Sequence, residues 1–200
     1  MAPPAEAGEN QRMASMTDLT RRTLFAGALL CVLAAGPAFA EGPRILGTLD
    51  DGKPVGETDL AGWRLVYFGY THCPDVCPLG LQSIAEAIDT LGPLAEKISP
   101  VFVTVDPDRD GPEVMRHYVD FFHPKIRGVT PGEAELKSMA AAWRIKYRKV
   151  EIGEGRPYLM DHTASILLID PAGVVAGRLP HDLGGARIAE KIRSVLEHRS

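Results

Sequence analysis

The chain has 200 residues, 45% of them hydrophobic, enough for one domain with its own core and without a disulfide or metal framework. Its net charge of -4, with no long run of lysine or arginine, lacks the electrostatic footprint of a nucleic-acid-binding protein. Nucleic acid is therefore set aside as a partner.

The first forty residues differ in kind from the rest. Arg21 and Arg22 precede an apolar run from Leu24 to Ala35, and Ala38-Phe39-Ala40 follows, the order of a charged region, an apolar region and a small-residue cleavage site. The run is shorter than the roughly 20 residues that cross a bilayer as a helix. Residues 1–40 are thus expected to be a cleaved export signal and residues 41–200 the mature domain. Thr20-Arg21-Arg22-Thr23-Leu24-Phe25 resembles a twin-arginine signal, which implies export after folding or cofactor loading. Residues 1–15 do not look like a charged signal start, which points to Met16 as the true beginning. Cys31 follows Leu29-Leu30 rather than small residues, against a lipid attachment. Cleavage removes three basic residues (Arg12, Arg21, Arg22), three acidic ones (Glu6, Glu9, Asp18) and Cys31, so the charge stays at -4 and two cysteines remain. The expected location is exported: the periplasm or the outer face of the inner membrane.

Within the mature domain, Asp50-Asp51-Gly52 between short extended pieces of residues 47–56 predicts an N-terminal β-hairpin. Arg64 to Tyr70 is a nearly continuous apolar and aromatic run, as expected of a strand buried on both faces. Leu81, Ile84, Ile88 and Leu91 recur at helical spacing, with Gly92-Pro93 as the stop. Val101 to Val105 reads as a second buried strand, and residues 113–122 as a helix with Val114, Met115, Tyr118, Val119 and Phe122 on one face. A short strand over 126–130, a helix marked by Leu136, Met139, Ala140 and Trp143, and an extended piece over 145–150 follow. Ser165–Asp170 and Val174–Leu179 flank a Pro171-Ala172-Gly173 turn and predict a hairpin; Ile188, Ile192, Val195 and Leu196 line a last helix. Strands alternating with helices, closed by an antiparallel hairpin, predict an α/β fold with a mixed β-sheet flanked by helices.

Cys73 and Cys77 lie between the first buried strand and its helix, in Cys73-Pro74-Asp75-Val76-Cys77-Pro78. That setting places Cys77 in the first helical turn, with Asp75 as N-cap and Pro78 tolerated where N–H groups lack helical partners. Free N–H groups and the helix dipole there favour a thiolate. Cys73 is about one turn away and can face the same spot. Two soft sulfurs on one side suit Cu(I), Zn(II) or a redox disulfide, and spacing alone leaves these three open. A disulfide kept for stability alone is a poor explanation, since so short a loop constrains the unfolded chain little.

The run Tyr67-Phe68-Gly69-Tyr70-Thr71-His72-Cys73-Pro74-Asp75-Val76-Cys77-Pro78 resembles the hallmark segment of the Sco/SenC family of copper proteins. Val105-Asp106-Pro107-Asp108-Arg109-Asp110 with Pro112-Glu113-Val114, and Asp161-His162-Thr163 before a hydrophobic strand, resemble two further family segments; the resemblance covers roughly residues 45–198. It implies a thioredoxin-like fold, copper held by Cys73, Cys77 and His162, and a metallochaperone rather than an enzyme, serving the CuA centre of cytochrome c oxidase. The implied partners are the copper-bearing subunit of that oxidase and another copper chaperone or a thiol reductant. His162 is expected in a loop leading into a buried strand, with Asp161 steering the imidazole.

Three rival functions stand beside this one. A thiol-disulfide oxidoreductase fits the paired cysteines, though three residues rather than two separate them, and no proline occurs in Asp161-His162-Thr163-Ala164. A peroxidase is only partly imitated by Thr71-His72-Cys73, and a copper or redox sensor would bind without transfer. Residues 106–111 start like a calcium loop, but the twelfth position is His117 rather than glutamate, which leaves a turn and helix cap. His72, adjacent to Cys73, is a candidate to tune its pKa. Met160 is the one methionine near His162 in sequence.

Overall fold

The computed structural model describes residues 42–56 and 58–198. The expected export signal over 1–40 lies outside the described residues.

Among the described residues, eight strands and four α-helices follow in order: β1 (Thr48–Leu49), β2 (Trp63–Gly69), α1 (Val76–Leu91), β3 (Ile98–Thr104), α2 (Pro112–Asp120), β4 (Arg127–Thr130), α3 (Glu133–Ala142), β5 (Tyr147–Val150), β6 (Leu159–His162), β7 (Ser165–Ile169), β8 (Val175–Pro180) and α4 (Gly185–His198). Six strands form one sheet in the order β1-β4-β3-β2-β7-β8, and β5 with β6 forms a separate two-stranded ribbon. The central strands β4, β3 and β2 run parallel, while β7 is antiparallel to β2 and β8 to β7. Parallel neighbours need a crossover, and α1 and α2 supply the two.

The apolar run in β2 is buried from Arg64 to Gly69, because helices cover both faces of the sheet. Val66, Tyr67, Phe68, Phe102 and Val103 are fully enclosed, and each side chain of this size contributes about 1.5–3 kcal/mol by leaving water. Helices α1 and α4 pack together, with the Gly185 amide donating to Glu86 Oε2 at 3.0 Å.

Three expectations shift in detail and one holds. The N-terminal hairpin is reduced to a turn and one antiparallel bridge, Thr48 to Pro54; β1 itself pairs with β4, where Asp50 accepts from the Gly128 amide and Arg127 Nε, both at 2.9 Å. Helix α1 stops at Leu91 with Gly92 at its C-cap, as Gly92-Pro93 predicts, and a separate 3₁₀ segment over Gly92–Lys97 follows. Val114 is 43% exposed although it shares a helix with the buried Met115 and Val119. Strand β6 was not anticipated; its burial is only partial, with Met160 packed against the core and Asp161 exposed.

Candidate metal centre

Topology brings the three donors to one place. Strand β2 ends at Gly69, and the turn beyond it carries Cys73 and leads into α1, whose second residue is Cys77. Strand β7 runs antiparallel to β2 with Tyr67 opposite Ile166, so the start of β7 lies beside the end of β2. His162, three residues before Ser165, therefore arrives over the cysteines, at the carboxyl ends of the parallel strands where α/β sheets place their sites.

The sulfur atoms of Cys73 and Cys77 and a ring nitrogen of His162 all lie within 4.8 Å of one another. Cys77 Sγ is 3.3 Å from His162 Nε2, and the Cys77 amide donates to Cys73 Sγ at 3.4 Å. Both cysteines are free thiols and both are buried. His162 Nδ1 is 3.3 Å from the Thr163 carbonyl. A carbonyl only accepts, so Nδ1 donates to it, and that contact turns Nε2 toward the sulfurs.

The thiols are driven apart in acidity. Cys73 falls to about 4, chiefly because the Cys77 thiol donates to it, helped by His162 and the amides of Asp75 and Cys77 against the opposing effect of burial. Cys77 moves up, since it donates that proton and is itself buried beside a negative neighbour. The thiolate is thus Cys73 in the turn rather than Cys77 in the helix, and the helix-start N–H groups act by pointing back at Cys73. Asp75 stands at the N-cap without a side-chain capping bond.

Two glycines make room for this geometry. A β-carbon on Gly69 would lie 2.7 Å from Cys77 Sγ and 2.7 Å from the Phe102 ring; one on Gly80 would lie 2.5 Å from the Tyr67 ring. Tyr67 fills the space so gained and donates its hydroxyl to the Val76 carbonyl at 3.0 Å, bracing the start of α1. Tyr67 and Tyr70 meet the His162 ring edge-on, at 6.4 and 5.9 Å between centroids. Burial, then the charge of the cysteine pair, pushes the Tyr67 hydroxyl well above its ordinary range. These glycines were not singled out from sequence, where a glycine after an apolar run is an ordinary event.

The loop after β3 grips the cysteine turn. Asp110, fully buried, accepts from the Thr71 amide at 2.9 Å, from Thr71 Oγ1 at 2.5 Å and from Thr104 Oγ1 at 2.7 Å. Three donors offset the desolvation of this carboxylate. His72 is exposed and stands 3.7 Å from Asp110, so its ring is turned toward that carboxylate. Asp161 does not steer the imidazole: it is exposed and pairs with Arg148 across the ribbon.

The donor chemistry fits a soft metal ion. Two sulfurs and one imidazole suit Cu(I), and donor atoms that lie within 4.8 Å of one another can share one ion at metal–sulfur bonds of about 2.3 Å. Binding must expel the Cys77 proton.

The chain is similar to Protein SCO1 homolog 1 of Arabidopsis thaliana, mitochondrial, at 44% identity over 140 residues, 69% of this chain and 41% of the relative. It is 33% identical to the human mitochondrial SCO2 homolog over 145 residues, 71% of this chain and 54% of that one, so it spans about half the length of these relatives. Among solved structures, Bradyrhizobium japonicum ScoI with copper bound matches with a TM-score of 0.69 and 35% identity, covering 78% of this chain and 99% of that one. Arabidopsis thaliana ScoI with copper bound matches with a TM-score of 0.72 and 35% identity, covering 80% and 99%. These likenesses bear out the thioredoxin-like fold expected from sequence. With the SCO1/SenC family model matching residues 42–197, which include both cysteines, the loop after β3 and His162, the chain belongs to the SCO1/SenC family.

Proposed function

We propose that this chain is an exported copper chaperone, in which Cys73, Cys77 and His162 hold Cu(I) or Cu(II) as cargo. The observation that carries this reading is the convergence of two thiols and an imidazole within 4.8 Å at a strand–helix junction. The copper-bound ScoI relatives support copper over zinc. Three protein donors leave a coordination position open, so an incoming ligand can bind before the outgoing one leaves. The recipient is the copper-bearing subunit of cytochrome c oxidase, with the CuA centre as destination, and a further partner is another copper chaperone or a thiol reductant acting on the cysteine pair. Residues 1–40 serve as the signal and 41–200 as the working domain, in the periplasm or at the outer face of the inner membrane. No helix among the described residues is long and apolar enough to cross a membrane.

Anaerobic titration of reduced residues 41–200 with Cu(I) against a competing chelator tests this reading. One equivalent should bind tightly, and Cys73→Ser, Cys77→Ser and His162→Ala should each weaken it; weak binding indifferent to all three changes overturns it.

Thiol reduction of the recipient is a second reading, favoured by the ionised Cys73 beside the protonated Cys77. Cys73 would attack a partner disulfide, releasing one partner thiolate, and Cys77 would then lose its proton and attack Cys73 Sγ. That step closes the Cys73–Cys77 disulfide and frees the second partner thiol. The same two sulfurs serve both activities.

A further inference from the structure

The His162 ribbon is fastened to the body by a second, separate set of contacts. Arg109, in the loop after β3, lays its guanidinium 3.7 Å from the centre of the Tyr158 ring and donates from Nη1 to the Tyr158 carbonyl at 3.0 Å. The Tyr158 hydroxyl donates to Asp106 Oδ1 at 2.8 Å, and Arg109 Nε donates to Asp106 Oδ2. Lys149 Nζ, from β5, lies 4.0 Å from the same ring. Tyr158 immediately precedes β6, the strand that ends in His162. Arg109 also stands 5.8 Å from the Tyr70 ring, which in turn meets His162.

The ribbon needs such a fastening. A two-stranded sheet is marginal by itself, and β5 and β6 belong to no larger sheet. None of the four residues of β6 is buried in the core. By contrast, the cysteines are anchored through Thr71 to Asp110, a few residues along the same loop. One five-residue loop, Asp106 to Asp110, therefore holds the two halves of the donor set: Asp110 the thiols, Asp106 and Arg109 the imidazole.

We propose that Arg109 and Tyr158 form a clasp that positions His162 over the thiols, so that the imidazole's place at the metal is set by this contact rather than by the ribbon itself. Arg109 and Tyr158 are positioning residues and touch no donor atom. Opening the clasp leaves the two sulfurs in place and detaches the nitrogen, turning a three-donor site into a two-sulfur one. The proposal rests on the copper reading only for its loaded form; in the metal-free protein the clasp holds by itself.

The test uses residues 41–200, which carry every element described, as wild type, Arg109→Ala, Arg109→Lys, Tyr158→Ala and Tyr158→Phe. Amide hydrogen exchange of the metal-free protein comes first. Tyr158→Ala and Arg109→Ala should speed exchange in residues 147–150 and 159–162 by about tenfold or more, with β2, β3 and α1 unchanged, as for a local opening. Tyr158→Phe keeps the ring under Arg109 and should restore most of the protection; Arg109→Lys loses the planar stack and should not. After Cu(II) loading, imidazole nitrogen coupling in the electron paramagnetic resonance spectrum should weaken in the two alanine variants and persist in Tyr158→Phe. Ribbon amides exchanging at the wild-type rate in Tyr158→Ala overturn the clasp, as does full nitrogen coupling in that variant. Should Arg109→Ala fail to fold, Arg109→Lys and Tyr158→Ala decide. If the wild type takes up no copper, the copper reading fails, and the exchange result alone decides the clasp.

Discussion

Gly69 lies directly beneath Cys77: a β-carbon there would stand 2.7 Å from the sulfur, with the Phe102 ring equally close on the other side. Neither neighbour can retreat, because both are fully buried. Gly69→Ala should therefore cost about 1–3 kcal/mol of stability, as overpacking does. It should also displace Cys77 Sγ from the other two donors. Denaturant unfolding and Cu(I) competition measure the two effects, and a variant with native stability and native affinity contradicts this packing.

Cys73 has its pKa lowered from 9.0 to about 4, which makes it ionised at neutral pH in the metal-free protein. Alkylation of Cys73 by iodoacetamide should hold its rate from pH 8 down to near 5 and fall only as the pH approaches 4. Cys77, buried and pushed up, should stay unreactive in the folded state. A Cys73 rate that drops tenfold for each pH unit below 8 contradicts the assignment.

The same shifts set a pH window for stability. Cys73 has a folded pKa below its unfolded one, so its contribution is complete above the ordinary thiol range, shrinks as pH falls, and is gone below about 4. Cys77 has the opposite sign: its contribution is present below the ordinary thiol range and is lost as pH rises beyond it. Reduced, metal-free protein should thus gain stability relative to Cys73→Ser between pH 5 and pH 8. Parallel denaturation midpoints for the two proteins across that range count against it.

Asp110→Asn keeps the shape of the side chain but replaces an acceptor oxygen with a donor, facing either the Thr71 hydroxyl or the Thr71 amide together with Thr104 Oγ1. Leaving such buried groups mismatched costs about 1–3 kcal/mol. Unfolding midpoints should drop accordingly, and Thr71→Val should lower them less, since the Thr71 amide still donates. Equal, negligible effects from both would mean that this network does not hold the cysteine turn.

Asp161→Ala is expected to do little. Its carboxylate is 58% exposed and pairs with the still more exposed Arg148, and such surface pairs contribute about 0–1 kcal/mol. Copper affinity should stay within about twofold of wild type in the chelator competition, a change below 0.5 kcal/mol. A tenfold loss would restore to Asp161 the role of steering the imidazole.

The parts of the fold that read directly from sequence are those whose burial is complete. The unbroken run of β2, the helical spacing along α1 and α4, and the turn between β7 and β8 each carry a periodic or turn signal strong enough to survive tertiary context. Strand β6 carries none, because a ribbon packed on one side by a few contacts imposes neither alternation nor continuous apolarity. The donors were legible through the Cys73–Cys77 spacing and the family resemblance. What supports them was not: Thr71 and Asp110 are 39 positions apart, and Arg109 and Tyr158 are 49 apart. Likewise, helix position alone pointed to Cys77 as the thiolate, whereas the direction of the N–H groups selects Cys73.

The central claim is that two sulfurs and one nitrogen meet on a single copper ion. X-ray absorption of the Cu(I)-loaded protein and of its His162→Ala variant tests it most directly. Wild type should show two sulfur scatterers and one nitrogen, and the variant the same two sulfurs without the nitrogen. A wild-type spectrum with one sulfur, or one unchanged by loss of His162, would contradict the site described.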